Sequence, residues 1–309
     1  MSEVTVIGGG IIGVCCALSL QRQGIGTTLI ERGDIGGGAQ VGNCALMARS
    51  EVVPLSKPGV MKKLPGWILD SEGPLAVRPG HLPTAIPWLL KFLRNARADR
   101  VAQICHGLGE IAKLAQDDFD NVIEAANIKD IWAENEVLYL YDSKSQYDAD
   151  TFSWNLREAE GCFVTPLNKN ELRDLEPDVN TAGKFGVVAN GWKSFTNPQR
   201  LTKELANLFV SLGGQIIAQD VARIKMLNGR ADQVKFENGE ILKLDKLVVA
   251  AGCWAGRLLS DMGIRIPLAP LHGYHTDLPD SGVKLSRAVI YAPGGFVNTP
   301  VETGLRIAG

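Results

Sequence analysis

The first 31 residues constrain this chain most. Residues 4–7 (VTVI) are a short apolar run rich in β-branched side chains, followed at once by Gly8, Gly9 and Gly10 and then by a helical stretch over 11–22 that stops at Gly24. Residues 27–30 (TTLI) form a second apolar run, closed by Glu31. Strand, tight turn, helix and strand in so short a length make one βαβ unit with parallel strands buried on both faces. Gly8, Gly10 and Gly13 stand in it as G-x-G-x-x-G. Gly8 permits the turn, Gly10 lets a pyrophosphate approach the backbone at the positive end of the helix, and Gly13 lets helix and strand pack closely. Glu31 follows Gly13 by 31 minus 13, or 18 residues, at a strand end where a carboxylate can accept hydrogen bonds from an adenosine ribose. Alone, the glycines would signify only tight packing and Glu31 only a surface acid. Joined on one βαβ unit they predict dinucleotide binding, with the flanking Ile11, Ile12 and Arg32 as further contacts.

Composition narrows the partners. Across 309 residues the 32 basic and 34 acidic side chains leave a net charge of −2, so there is no basic excess to hold a nucleic-acid backbone. At 45% hydrophobic and 21% charged residues, the chain reads as soluble and globular, long enough for two domains. Six cysteines (15, 16, 44, 105, 162 and 253) show no CxxC pair and no histidine at zinc-ligand spacing. No metal site is therefore expected, and the thiols are read as reduced, in the cytoplasm. Residues 4–20 imitate a signal-peptide core, but Glu3 stands where a basic start is usual and the glycines interrupt the run. No other run approaches about 18 apolar residues, so no transmembrane helix is expected.

After Glu31 the chain becomes irregular: residues 33–80 are rich in Gly and Pro, lack periodicity and read as long functional loops. Residues 87–126 carry a helical pattern read as two or three helices, and 137–141 alternate like a strand. Asn197-Pro198 supplies a cap and first-turn proline for a helix whose apolar face is Leu201, Leu205, Leu208, Phe209 and Leu212, before Gly213-Gly214 stops it and 216–217 form a short strand. Residues 224–227, 233–236 and 241–244 are strand-like, with Asn228-Gly229 and Asn238-Gly239 in the connections, and so predict a three-stranded meander. It leads into an apolar strand at 247–250 that ends in Ala251-Gly252. Proline-broken strands follow from 266 to 309.

A meander feeding such a strand is how FAD-binding folds of the glutathione-reductase type are built. The segments ERGDIGGGAQVGNCALM (31–47), ELRDLEPDV (171–179), NPQRLTKELANLFVSLGG (197–214), LVVAAGCWAGRLLSDMG (247–263), PLAPLHGYH (267–275) and ETGLRIAG (302–309) together resemble the D-amino-acid oxidase superfamily of flavoproteins, nearest to bacterial D-amino-acid dehydrogenases. The resemblance implies an α/β fold, with a Rossmann-like three-layer FAD domain (1–84 and 180–264) interleaved with an α+β substrate domain (85–179 and 265–309). It implies FAD as cofactor, with Ala39, Gln40, Asn43 and Leu46 at positions that wrap the flavin, and Val221, Gly252 and Trp254 as further contacts. Gln40 departs from the serine common there, and Cys44-Ala45 replaces Ala-Gly.

The implied reaction is oxidation of a D-amino acid, or a related secondary amino acid, to a 2-oxo acid and ammonia by hydride transfer from the α-carbon to flavin N5. Orientation is the protein's task, and Tyr274 and His275 are the catalytic candidates; Tyr274 could equally be a core residue and the histidines ordinary polar strand residues. Oxidation of hydroxyproline, sarcosine or an opine, or a non-catalytic FAD-holding subunit, stay open. So do the electron acceptor, a quinone or another carrier, and homo- or hetero-oligomer formation. Trp88, Leu89, Leu90, Phe92 and Leu93, mixed with Lys91, Arg94, Arg97 and Arg100, fit one amphipathic helix over 88–101. It could touch the inner-membrane surface peripherally or present a solvated basic face. Residues 305–307 start a strand that relatives continue through a Gly-Arg-Pro segment, so the chain is expected to be a C-terminally incomplete member lacking the main carboxylate anchor.

Overall fold

The computed structural model describes residues 3–60, 82–133, 135–268, 270 and 272–309. The chain forms two compact units, one of Met1–Leu46, Asn121–Ala133 and Ser194–Gly309, the other of Met47–Asp120 and Glu134–Lys193. These units group residues by packing. The functional domains expected from sequence group them by ligand, and the two divisions cut the chain at different points.

In the first unit, β1 (Glu3–Ile7), α1 (Ile11–Arg22) and β2 (Gly26–Glu31) form the expected βαβ motif. β1 pairs in parallel with β2 on one side and with β13 (Lys246–Val249) on the other, while β9 (Gln215–Ala218) adds in parallel outside β2. The sheet order β13-β1-β2-β9 leaves β1 and β2 central, which is why residues 4–7 and 27–30 are buried on both faces. Helix α7 (Pro198–Ser211) lies against α1 and starts as its sequence demands: the Asn197 side chain accepts the Arg200 N–H at 2.9 Å and Pro198 opens the first turn. Its Leu201, Leu205 and Phe209 are buried, and beyond it Gly214 has no room for a side chain because Phe209 fills the space.

The opposite face of the sheet carries the meander β10 (Val221–Leu227), β11 (Arg230–Phe236) and β12 (Ile241–Lys243). Strand alternation turns the paired Ile7 and Ile30 to this face, where they pack with Val221, Ile224, Val234 and Phe236. Helices, parallel sheet and meander are the three expected layers. At the first meander turn both Asn228 (φ +50°) and Gly229 (φ +77°) are left-handed, as a tight Asn-Gly hairpin requires; at the second, only Gly239 is. The same unit contains the antiparallel strands β14 (His275–Leu278), β17 (Gly304–Ala308), β16 (Phe296–Val301) and β15 (Val289–Tyr291), neighbours in that order. β4 (Trp132–Ala133) pairs with β8 (Lys193–Phe195).

The second unit holds β5 (Val137–Tyr141), β7 (Phe185–Ala189) and β6 (Val164–Leu167), all antiparallel, with helices α4 (Lys144–Ala149), α5 (Thr151–Ala159) and α6 (Lys169–Leu175). All five residues of β5 are buried, so its alternating sequence does not mark one wet face. In this core Tyr139 meets Trp154 edge to face, and the Arg157 guanidinium lies 4.6 Å from the Trp154 ring centre. The single helix expected over 88–101 is corrected: α2 (Leu82–Arg94) ends where the Asn95 side chain caps the Lys91 carbonyl at 2.8 Å, and α3 (Ala98–Ala126) begins after it. Lys91 and Arg94 thus lie on α2 and Arg100 on α3, while Arg97, in the connection, pairs with Asp99 at 3.1 Å. Among the described residues no helix is long and apolar enough to cross a membrane. Of the loops expected over 33–80, the part after residue 60 lies outside the described residues, and β3 (Leu46–Met47) interrupts the rest.

Candidate cofactor site

The site begins with the turn between β1 and α1. Gly8 has φ +117°, and a Cβ there would meet the Ala250 carbonyl oxygen at 2.4 Å. Its N–H donates to the Ile30 carbonyl at 2.8 Å, and Ala250 N–H donates to the Ile7 carbonyl at 2.8 Å, so both neighbouring strands clamp the turn. A Cβ on Gly13 would come 1.7 Å from the Gly8 oxygen, the tight packing predicted for the third glycine. Gly10 is different: it is the N-cap of α1 with ordinary backbone angles, and nothing lies within 4 Å of a Cβ placed on it. No side chain caps this helix and no acid occupies its first turn. The first-turn N–H groups therefore present a bare positive end.

That end opens on a cavity of about 560 Å³ within the first unit. Gly8, Gly10, Ile11 and Ile12 line it from the turn, and Glu31 and Arg32 from the end of β2. Ala39 and Gln40 contribute from the loop beyond, Val221 from the start of β10, and Gly252 and Trp254 from the segment after β13. Ile12 is 66% exposed, an apolar side chain left open on this helix end. Gly13 sits behind the wall, and Asn43, Leu46, Tyr274 and His275 lie outside it. Residues that the sequence reading missed also line it: Gly9, Asp34, Gly37, Gly38, Gln219, Asp220 and Arg257. The glycines and Asp34 stand in the same glycine-rich run that supplied Ala39 and Gln40. Arg257 follows Trp254 by three residues, one turn of α8 (Ala255–Ser260), a spacing that could have flagged it.

Glu31 is fixed by the turn it faces. Its Oε2 accepts the Gly9 N–H and its Oε1 accepts the Gly33 N–H at 2.9 Å, leaving further lone pairs toward the cavity. The Arg32 guanidinium lies 4.5 Å from the centre of the Trp254 ring, a cation–π pair at the wall. Arg257 donates to the Val221 carbonyl at 3.2 Å. The site thus offers unpaired backbone donors and cations for a pyrophosphate, a carboxylate for ribose hydroxyls, and apolar and aromatic surface for rings. Cys15, on the helix behind the turn, has its thiol pushed up to about 12, chiefly by burial and then by Cys16, so it stays protonated.

Tyr274 is 81% exposed, which removes the core-packing alternative, and its backbone pairs both ways with Gly309 at 3.1 Å. The His275 imidazole packs on Gly42, where a Cβ would come 2.5 Å from Nδ1. Asn43 and Leu46 lie in a segment three and more residues beyond the wall. In the second unit, His106, Glu110 and Glu160 offer ligand atoms within 4.8 Å of one another. Lys113 already bridges the two carboxylates, at 3.0 Å and 3.2 Å, so an ammonium already stands between them.

Comparison with known proteins agrees with this geometry. The family described as DAO, FAD dependent oxidoreductase, matches residues 3–309. A D-amino-acid oxidase of Bradyrhizobium diazoefficiens is 32% identical over 99% of this chain and 73% of its own length. A D-amino acid dehydrogenase 2 of Ralstonia nicotianae is 26% identical over 90% of this chain and 66% of its own length. The chain thus spans about two thirds to three quarters of these relatives. The crystal structure of glycine oxidase from Bacillus cereus ATCC 14579 superimposes with a TM-score of 0.62 over 100% of this chain and 70% of that one, at 18% identity, a likeness of fold. A dinucleotide turn over an open cavity and a family match along nearly the whole sequence have one reading: the chain belongs to the DAO family of FAD-dependent oxidoreductases.

Proposed function

We propose that this chain holds FAD in the cavity at the Gly8–Gly13 turn and serves the oxidation of a D-amino acid to a 2-oxo acid and ammonia. The observation that carries the cofactor placement is the uncapped positive end of α1, which opens across the cavity from Glu31. The pyrophosphate would lie against the backbone at Gly10, Ile11 and Ile12, and the adenosine ribose on Glu31. Arg32, Trp254 and Val221 would flank the adenosine, and Ala39, Gln40, Asn43 and Leu46 the flavin side. Residues 1–84 and 180–264 form the cofactor domain in this reading, and 85–179 and 265–309 the substrate domain. The D-amino-acid class rests on the 32% identity to a D-amino-acid oxidase.

When bound, FAD would supply a two-electron acceptor for the hydride of the substrate α-carbon. The oxidised product, an imine, would hydrolyse with water to the 2-oxo acid and ammonia. The protein contributes orientation, for which Tyr274, with its exposed phenol, and the neighbouring His275 are the proposed substrate-facing groups. The test is reconstitution with FAD followed by dye reduction with matched D- and L-amino acids, glycine, sarcosine and hydroxyproline. Quinone and oxygen then replace the dye to identify the acceptor. Flavin binding with reduction by D-amino acids supports the reading. Flavin binding with reduction only by another amine overturns the substrate class, and no flavin binding overturns the cofactor placement.

A further inference from the structure

A chain of hydrogen bonds leads from the cavity wall to a half-buried ion pair in the same unit. Gln40, in the wall, donates to Thr202 Oγ1 at 3.3 Å and accepts from Asn43 Nδ2 at 3.3 Å. The Asn43 side chain accepts the Ala45 N–H at 2.9 Å. Beyond it, three successive carbonyls are each held by a separate donor. Arg306 Nη1 donates to Asn43 O at 3.1 Å, Thr299 Oγ1 to Cys44 O at 2.9 Å, and Phe195 N–H to Ala45 O at 2.8 Å. Ala45 is buried and left-handed, with φ +57°, a conformation that an alanine keeps only where its surroundings impose it. An ordinary surface loop satisfies such carbonyls with water; this one is pinned at Asn43, Cys44 and Ala45.

Arg306 anchors the arrangement. Its side chain is 8% exposed, and its Nε and Nη2 reach the two Asp277 oxygens at 2.7 Å and 2.9 Å, a paired fork geometry. Thr303 Oγ1 adds a bond to Asp277 at 3.2 Å. With those nitrogens on Asp277 and Nη1 on Asn43, the guanidinium is committed within the fold.

We propose that Arg306, held by Asp277, is a positioning residue for the cofactor: through the Asn43 carbonyl it sets the segment 40–45 and thereby places Ala39 and Gln40 in the cavity wall. The arginine acts on the loop and does not receive a substrate carboxylate. This inference rests on the FAD reading above.

The test titrates FAD into the apo form of the wild-type chain and of Arg306→Met, Arg306→Lys and Asp277→Asn. Flavin fluorescence and the shape of the bound flavin's visible band are followed, and the apo melting temperature is recorded alongside. Arg306→Met is expected to raise the FAD Kd roughly tenfold, equivalent to about 1.4 kcal/mol, and to change the band shape. Arg306→Lys should recover part of both, because an ammonium can still reach the carbonyl. An unchanged Kd and band in Arg306→Met, whatever its melting temperature, would overturn the proposal by reducing the arginine to a stabiliser of the strands. Should that variant not fold, Thr299→Val, which removes only the bond to Cys44 O, takes its place; a weaker Kd supports the proposal and an unchanged one overturns it. A wild-type chain that binds no FAD overturns the cofactor reading itself, and it is told apart by needing no variant.

Discussion

Glu31 Oε2 accepts the backbone N–H of Gly9 at 2.5 Å, so the acid at the end of β2 helps to build the turn at the end of β1. A Cβ on Gly9 would strike the Glu31 side chain at 2.7 Å, which shows how closely the two are fitted. Glu31 therefore has two tasks, one in the apo fold and one toward a ribose. Glu31→Ala is expected to weaken FAD binding at least about tenfold and to lower the apo melting temperature by about 2–4 °C, as expected for losing roughly 1 kcal/mol. Full flavin retention through dilution and gel filtration would remove Glu31 from the cofactor site.

Gly13 and Gly10 separate folding from binding. Alanine at Gly13 must displace the Gly8 carbonyl, 1.7 Å from the new carbon, and is expected to cost about 3 kcal/mol, measured by denaturant unfolding. Alanine at Gly10 meets nothing within 4 Å and needs no unusual backbone angle. That variant should unfold within about 1 kcal/mol of wild type yet bind FAD at least about tenfold more weakly, since its methyl group stands where the pyrophosphate approaches. Tight FAD binding by Gly10→Ala would mean that the phosphates lie elsewhere.

Cys253 is exposed between Gly252 and Trp254, both in the cavity wall, whereas burial keeps the Cys15 thiol protonated. Maleimide at pH 8 should modify Cys253 well ahead of Cys15, and added FAD should slow the Cys253 reaction. Peptide mapping reads both rates, and labelling of Cys253 that FAD leaves unchanged would show that the cofactor does not cover this wall.

The Arg306 guanidinium, by its hydrogen bonds, holds the Asp277 carboxyl below its ordinary value. An aspartate with a lower value in the folded than in the unfolded chain adds stability above its unfolded value, about 3.9, and loses it as pH falls through the folded one. The melting temperature of Asp277→Asn should therefore lie below that of wild type at pH 7, and the gap should close as pH falls below about 4. A gap that stays constant over that acid range would separate Asp277 from the pH response.

The sequence alone determined the local elements whose chemistry is short-range. The glycine turn, the helix capped by Asn197-Pro198 and the Asn-Gly hairpin each depend on a few neighbouring residues with special backbone freedom or capping groups, and these stand in the structure where the residues imply. The wall residues Gly8, Gly10, Glu31 and Arg32 were legible for the same reason, because they stand at a turn and a strand end. The break at Asn95 was not legible, because the apolar and basic spacing continues across it and only the capping bond ends the helix. Long-range pairing decided the rest. Arg306 lies 263 residues from Asn43 and Thr299 lies 255 from Cys44. No periodicity announces that a strand arginine will spend its hydrogen bonds on a loop carbonyl and an aspartate. Such a bond exists only once the antiparallel strands β14, β16 and β17 set their register and burial makes every polar group find a partner.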